Sequence, residues 1–143
     1  LKSYWDQPAE TAAALDGGWF HTGDGGIVDE EHYVTIHDRK KDVIISGGEN
    51  VSSIEVEDVL FSHPGVAEVA VIGVPDERWG EVGKAIVAVR PGQVLTEQQI
   101  LDHCRENLAR YKIPRFIEFV EALPRNATGK VHKPTLRKNF GKA

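Results

Sequence analysis

The residue best suited to do chemistry is Lys130, which ends the polar run Arg125-Asn126-Ala127-Thr128-Gly129-Lys130. Gly129 frees the backbone just before the cation. A Gly-Lys pair on a mobile loop can bring an ammonium group to a phosphate or carboxylate whose charge is shifting. A Thr-Gly-Lys triplet is also common in a solvated turn, so this segment alone leaves both interpretations open.

Two further segments contain residue types suited to a nucleotide and a thioester. Asp24 lies in the turn-forming run Thr22-Gly23-Asp24, where a carboxylate can accept hydrogen bonds from two ribose hydroxyls or can simply close the turn. Gly48 lies in Ser46-Gly47-Gly48-Glu49-Asn50, where paired glycines allow a thin ligand to approach the backbone. The spacing fits neither a dinucleotide fingerprint nor a P-loop, and a plain strand-to-helix loop is the alternative.

Three other residues could support such a site. Asp38 and Arg39 lie between two predicted strands, where a hinge could absorb a backbone rotation and Arg39 could donate to ribose or phosphate oxygens. A hairpin turn with solvated charges is the alternative there. Trp79 is a large aromatic in a polar loop, and it could either stack on a ligand or cover a sheet edge.

Composition excludes several classes of function. The chain has 143 residues, 41% hydrophobic and 27% charged, as expected for about one ordinary globular domain. Its net charge of −5 argues against nucleic-acid binding. Its one cysteine, Cys104, lies in a helical apolar pattern and is expected to be a buried thiol. The six histidines lack metal-ligand spacing, so no metal site is predicted from them, and no apolar run is long enough for a membrane span. Cytoplasm is the expected compartment.

The elements that must position these residues follow an α+β pattern. We expect a small three-stranded sheet with packed helices, preceded by a two-stranded hairpin. The expected strands lie at 33–37, 43–46, 66–74, 82–89 and 116–120, and the charged stretch 38–42 is expected to lie outside the core. Four helices are predicted. The first covers 8–15 and the last 134–140. The second begins at a capping box at 52–55 and runs through Val56, Val59, Leu60 and Phe61, and the third begins at another capping box at 96–99 and ends at about 108.

Together these segments resemble the carboxyl-terminal part of the adenylate-forming superfamily, the acyl-CoA synthetases in particular. The resemblance implies that Asp24 binds the ATP or AMP ribose, that Asp38 is the hinge and that Arg39 contacts ribose or phosphate. It also implies that Gly48 lines the pantetheine tunnel, that Lys130 serves adenylation, and that Trp79 with Lys112 or Arg115 contacts coenzyme A.

The reaction implied by the resemblance has two steps. A carboxylate, expected to be that of a fatty acid, first attacks the α-phosphate of ATP to give acyl-AMP and pyrophosphate, and the coenzyme A thiol then displaces AMP to give the thioester. A small lid domain, 38–143, would rotate about Asp38 to present Lys130 in the first step and Gly48 in the second. Residues 1–37 would be the tail of a large amino-terminal domain that binds most of the ATP, Mg²⁺ and acid, so the 143 residues alone are expected to be nearly inert.

Two alternatives stay open, and one residue departs from the family pattern. The chain could belong to an adenylation module that loads a carrier protein, or it could be a non-catalytic nucleotide-binding or interaction module. His32 stands where relatives usually have a glycine, and this puts the tight turn of the first hairpin in doubt.

Overall fold

The computed structural model of the protein describes residues 1–142, apart from the side chain of His37. The chain divides into two compact units, Leu1–Lys41 and the remainder from Asp42. Each unit has its own helices and strands. The assignment of 1–37 and 38–143 to two domains of a longer enzyme stays a prediction.

The first unit contains a short helix and a β-hairpin. Its elements are α1 (Pro8–Ala14), a 3₁₀ turn (Asp16–Gly18), β1 (Asp24–Val28) and β2 (Val34–Arg39). The two strands are antiparallel, with a register shift between Gly25 and Gly26. His32 takes the left-handed conformation, with φ of +67°, and the Asp29 carboxylate accepts the N–H of Tyr33 at 2.8 Å. The tight turn therefore forms without glycine, because histidine tolerates this conformation better than most residues do.

The second unit is built on a five-stranded sheet. Its strands are β3 (Ile44–Ser46), β4 (Glu49–Val51), β5 (Val66–Asp76), β6 (Gly80–Val89) and β7 (Phe116–Val120). The order is β4-β3-β6-β5, and β7 runs parallel to β6. The three predicted strands of the sheet are present, with β6 between β5 and β7, and the β3–β4 pair extends the sheet through the pairing of Ser46 with Gly80.

Helices cover both faces of this sheet. They are α2 (Ser53–Phe61), α3 (Glu97–Asn107) and α4 (Lys133–Phe140). Both predicted caps start helices where expected. Ser52 accepts the N–H of Glu55 as a simple N-cap, and Thr96 forms the full reciprocal capping box with Gln99. One core packs α2 and α3 on one face, and a second packs Leu136 of α4 on the other. The predicted α+β class is confirmed.

Three details of the sequence analysis are wrong. The strands near 33–37 and 43–46 do not pair with each other, because each has a nearer partner in its own hairpin. The stretch 38–42 is not excluded from the core, since Asp38 and Asp42 are only 3% and 9% exposed. Asp38 accepts the N–H of Arg39 at 2.7 Å, which offsets part of the burial. Phe61 is exposed, because it lies about 100° around the helix from the buried Leu60.

The free edge of β5 is covered by side chains. Glu57 Oε1 accepts the N–H of Val71 at 2.7 Å and lies 2.8 Å from Nζ of Lys133. The same ammonium donates to Ser53 Oγ at 2.7 Å. Because Glu57 and Ser53 belong to α2 and Lys133 to α4, this group of contacts joins helices from the two faces across one strand edge, which is then shielded from further strand pairing.

Candidate functional site

Lys130 projects from the loop between β7 and α4. The loop folds back on itself through a bridge between Arg125 and Val131, and Gly129 has φ of +80°. Within the part of the chain that the structure describes, the Lys130 ammonium has no hydrogen-bonding or ion-pairing partner. The side chain is exposed, so the cation is available to an anionic group outside these residues.

Asn126 organises this loop from within. Its Oδ1 accepts the backbone N–H of Thr128 and of Lys130, both at 3.0 Å, and the Thr128 hydroxyl at 2.7 Å. Its backbone N–H donates to the Lys130 carbonyl at 2.9 Å, and its carbonyl accepts from Gly129. An Asx-type turn of this kind fixes a loop without regular secondary structure. The prediction of a mobile loop therefore has to be refined: the loop is internally ordered.

Gly47 and Gly48 form the two-residue turn of the β3–β4 hairpin. Their φ angles of +60° and +88° are the left-handed values that such a connection requires at both central positions. The interpretation as a plain strand-to-helix loop is wrong, because β4 intervenes before α2. A Cβ added to Gly48 would meet no atom within 4 Å, so the turn exposes bare backbone at this position.

Trp79 packs on this hairpin turn. A Cβ added to Gly47 would lie 2.7 Å from Cε3 of the Trp79 ring, and the Gly47 N–H donates to the Trp79 carbonyl at 2.9 Å. The Arg78 guanidinium lies 4.8 Å from the ring centroid. The Asp76 carboxylate holds the loop because it accepts the backbone N–H of Trp79 and that of Arg78. These hydrogen bonds, the one from Trp79 more than the one from Arg78, lower the pKa of Asp76. Trp79 thus covers the turn, and the residue stays 40% exposed and lines an adjacent groove.

The groove beside Trp79 has a volume of about 640 Å³ and a cationic wall. Its charged and aromatic lining residues are Glu49, Arg78, Trp79, Arg110, Tyr111 and Arg115. A second cavity of about 700 Å³ shares Arg110 and Arg115 and adds Arg105. The sequence predicted a role for Arg115 but not for Arg78, Arg105 or Arg110. For Arg105 and Arg110, the signal available was their closeness in sequence to Arg115 around the α3 C-terminus, since several guanidinium groups together can bind phosphate.

Lys112 lies outside this groove. Its Nζ contacts both carboxylate oxygens of Glu55, at 2.6 and 2.7 Å. The hydrogen bond to Glu55 raises the pKa of Lys112. Of the two cations proposed as alternatives, the structure brings Arg115 to the groove wall and Lys112 to α2.

Asp24 and Arg39 face each other in the first unit. They are paired across the β1–β2 ladder, and Arg39 Nε lies 3.4 Å from Asp24 Oδ1. Both predicted ribose-contacting groups therefore occupy one end of one hairpin. Asp38, the predicted hinge, precedes Arg39 in β2 and is buried, and the exposed turn of Lys40 and Lys41 follows the strand.

The Gly48 turn and the Lys130 loop lie at opposite ends of the second unit. Ser46, next to the glycine turn, pairs with Gly80 at the start of β6. Arg125, at the base of the Lys130 loop, bonds Glu68, which pairs with Ala88 near the end of β6. From residue 80 to residue 88 is eight positions, or about 27 Å along an antiparallel strand. The Gly48 turn and the Lys130 loop are thus attached near opposite ends of one sheet.

The described residues contain neither a cluster of metal ligands nor a membrane-spanning helix. Among the described residues, no three His, Cys, Asp or Glu side chains are grouped so as to hold a metal ion. Every helix within 1–142 is too short or too polar to cross a bilayer. Cys104 is buried as predicted, and burial raises the pKa of its thiol to about 11. Such a thiol is a poor nucleophile at neutral pH.

Comparison with known proteins gives consistent matches. Residues 55–130 match the family described as AMP-binding enzyme C-terminal domain. The long-chain-fatty-acid–CoA ligase FadD13 of Mycobacterium tuberculosis is 54% identical over 140 residues, covering 98% of this chain and 28% of the ligase. The fatty acid–[acyl-carrier-protein] ligase ScoC of Streptomyces coeruleorubidus is 48% identical over 98% of this chain and 27% of its own length.

Solved structures agree with these matches. ATP-bound MatB from Rhodopseudomonas palustris superposes with a TM-score of 0.88 at 42% identity, covering 98% of this chain and 28% of MatB. The chain thus spans little more than a quarter of the length of the relatives it matches. The family model covers over half of the 143 residues, and the chain belongs to the AMP-binding enzyme C-terminal domain family.

Proposed function

We propose that this chain is the carboxyl-terminal part of an ATP-dependent acid–CoA ligase that forms an acyl-AMP and transfers the acyl group to coenzyme A. Residues 1–37 would complete a large amino-terminal domain, and 38–143 would form the lid. The acid is a carboxylic acid of the fatty type, as in the FadD13 relative. ATP and Mg²⁺ are held mainly by the large domain, which is also the chain's main partner.

The observation that carries this proposal is the separation of Lys130 and Gly48 on one body. The exposed ammonium of Lys130 can stabilise negative charge on the carboxylate and α-phosphate oxygens while acyl-AMP forms. Gly48, whose hairpin joins the sheet at the opposite end of β6, offers bare backbone past which a slender thiol arm can run. A rotation of the lid exchanges one end for the other, so one body serves both steps.

The rotation needs a pivot, and Asp38 is the residue we propose. Asp38 is buried among otherwise exposed described side chains of β2, and the exposed turn at 40–41 can absorb the change in φ and ψ. In the first unit, Asp24 would accept hydrogen bonds from the ribose hydroxyls, and Arg39 would donate to ribose or phosphate oxygens. Their mutual contact at 3.4 Å keeps the two side chains oriented until a nucleotide takes over those hydrogen bonds.

The cationic groove fits coenzyme A, which carries phosphate groups and an adenine ring. Arg78, Arg110 and Arg115 supply donors for phosphate oxygens, and the exposed part of Trp79 offers a face for stacking. The groove begins at Gly47, beside the turn that would admit the pantetheine arm. Lys112 is assigned to a supporting role, since Glu55 already occupies its ammonium.

The second candidate is a ligase that loads a carrier protein, favoured by the 48% identity with ScoC. The two functions share the first step and differ in the acceptor. Supplying the full-length protein with ATP, a fatty acid and either free coenzyme A or a phosphopantetheinyl carrier protein separates them. Thioester on coenzyme A supports the proposal, and thioester on the carrier protein alone contradicts it.

The Lys130→Ala variant of the full-length protein tests the role of the cation. We expect acyl-AMP formation to fall about 100-fold or more, because one preorganised charge contact in a transition state is lost. Transfer from supplied acyl-AMP to coenzyme A should stay close to the wild-type rate, since the cation is not used there. Lys138→Ala removes an exposed lysine from α4 as a control and should leave both steps unchanged. Equal loss of both steps in Lys130→Ala would remove the assigned role.

A further inference from the structure

Arg125 ties the Lys130 loop to the sheet. One guanidinium nitrogen of Arg125, Nη1, donates to the Gly129 carbonyl at 2.7 Å, and the other, Nη2, donates to Glu68 Oε1 at 2.6 Å. The Gly129 carbonyl belongs to the peptide group that leads directly into Lys130. The guanidinium therefore fixes the orientation of the peptide from which the Lys130 side chain departs.

Glu68 supplies a firm support for this tie. It lies in β5 opposite Ala88, and Val66 and Ala70, two positions before and after it in the strand, are fully or almost fully buried. A loop attached to a packed strand holds its geometry better than a loop attached to another loop. The anchor thus transfers the rigidity of the sheet to the peptide preceding Lys130.

The Glu68–Arg125 pair is poorly explained by stability alone. Both side chains are partly exposed, at 33% and 47%, and ion pairs in such positions stabilise a fold little. In addition, Glu68 Oε2 is buried and, among the described residues, has no hydrogen-bond partner. An unsatisfied buried oxygen opposes folding, so a purely structural role would favour another residue here.

We infer that Arg125 is a positioning residue for Lys130 and that Glu68 holds Arg125 in place. This inference rests on the proposed role of Lys130 in adenylation. The Asn126 turn keeps its own shape without Arg125, because its hydrogen bonds are internal to 126–130. Loss of the guanidinium would instead let the whole turn pivot at its two stems, and the ammonium would spend less time at the reacting phosphate.

The test uses full-length protein with acyl-AMP formation and acyl transfer measured separately. Arg125→Ala should lower kcat for acyl-AMP formation about 10- to 100-fold, since small misplacements of a catalytic group have effects of this size. KM for ATP and for the acid should change less than about threefold, because ground-state binding is left intact. Transfer from supplied acyl-AMP should keep its rate.

Further variants separate positioning from general damage. Arg125→Lys keeps one cationic donor and should recover part of kcat, although a lysine cannot reach both acceptors with a planar fork. Glu68→Ala should resemble Arg125→Ala, and the double variant should be no slower than Arg125→Ala within about twofold, because both residues act through one tie. Arg90→Ala removes an exposed arginine just beyond the same end of β6 and should leave both steps unchanged.

The outcomes distinguish this inference from the proposed function. If Lys130→Ala abolishes acyl-AMP formation while Arg125→Ala leaves it normal, the positioning role is refuted and the proposed function stands. The positioning role is likewise refuted if Arg125→Ala slows both steps equally or if effects of the single variants multiply in the double variant. If Lys130→Ala itself leaves acyl-AMP formation intact, the proposed function fails and the positioning role fails with it.

Discussion

At the scale of residues, the chain shows how chemistry-bearing types can be recognised before their contacts are known. Lys130 and Gly48 stood out by type and by neighbouring glycine, and the structure leaves the first exposed and the second with open space around it. What sequence could not supply was the partner of each side chain. Lys112 and Arg115 are three positions apart, yet one binds Glu55 and the other lines the groove, a difference decided by tertiary packing.

The two turn glycines differ in what surrounds them, and this gives a matched test. Gly48→Ala should lower the free energy of unfolding by about 1–2 kcal/mol, the cost of a left-handed residue with a Cβ. Gly47→Ala incurs the same strain and also forces Trp79 to move, because its Cβ would lie 2.7 Å from the ring. We therefore expect about 1–3 kcal/mol of additional loss from overpacking, measured by urea unfolding. Equal losses in the two variants would show that Trp79 does not pack on this turn.

At the scale of elements, periodicity and capping signals located, within the described residues, each of the four α-helices and four of the seven strands, with a fifth, at 33–37, offset from β2 by one or two residues. Ser52 and Thr96 start their helices because their side chains accept an otherwise unpaired N–H of the first turn. The strands that were missed, β1 and β4, are short and rich in glycine or polar residues, so they carry no apolar alternation. Their existence depends on pairing with a neighbour, and a single-sequence pattern does not contain that information.

The contacts of Lys133 with Glu57 and Ser53 connect α4, α2 and the β5 edge. Their removal should therefore lower the stability of the whole second unit. Lys133→Ala leaves the Glu57 carboxylate, only 20% exposed, without its cation. We expect the free energy of unfolding to fall by about 1–3 kcal/mol, below the loss from breaking a fully buried pair because some solvent reaches the carboxylate. Lys138→Ala, on the exposed side of the same helix, should change it by less than about 0.5 kcal/mol.

Chemical denaturation monitored by circular dichroism measures the free energy of unfolding of the Lys133→Ala and Lys138→Ala variants. A Lys133→Ala variant as stable as Lys138→Ala would mean that the edge contacts contribute nothing to the fold.

At the scale of the whole molecule, the arrangement fits the proposed place of this chain in a longer ligase. The α+β class followed from the order of the predicted elements, and the family followed from the combination of short motifs. The resemblance implied that a rotating lid presents Lys130 in one step and Gly48 in the other, but their spacing of 82 positions in the chain does not by itself give their spatial separation. It emerges from register: Ser46 pairs at one end of β6 and Glu68 at the other.

The most direct test of alternating use of the two ends is Gly48→Leu in the full-length protein, with Gly48→Ala as its control. Both variants carry the same backbone strain at φ of +88°, and only leucine fills the space through which the thiol arm would pass. Transfer from supplied acyl-AMP to coenzyme A should fall about tenfold or more in the leucine variant relative to the alanine variant, while acyl-AMP formation stays within about threefold. If leucine slows both steps alike, or slows transfer no more than alanine does, the account of one lid with two working ends is contradicted.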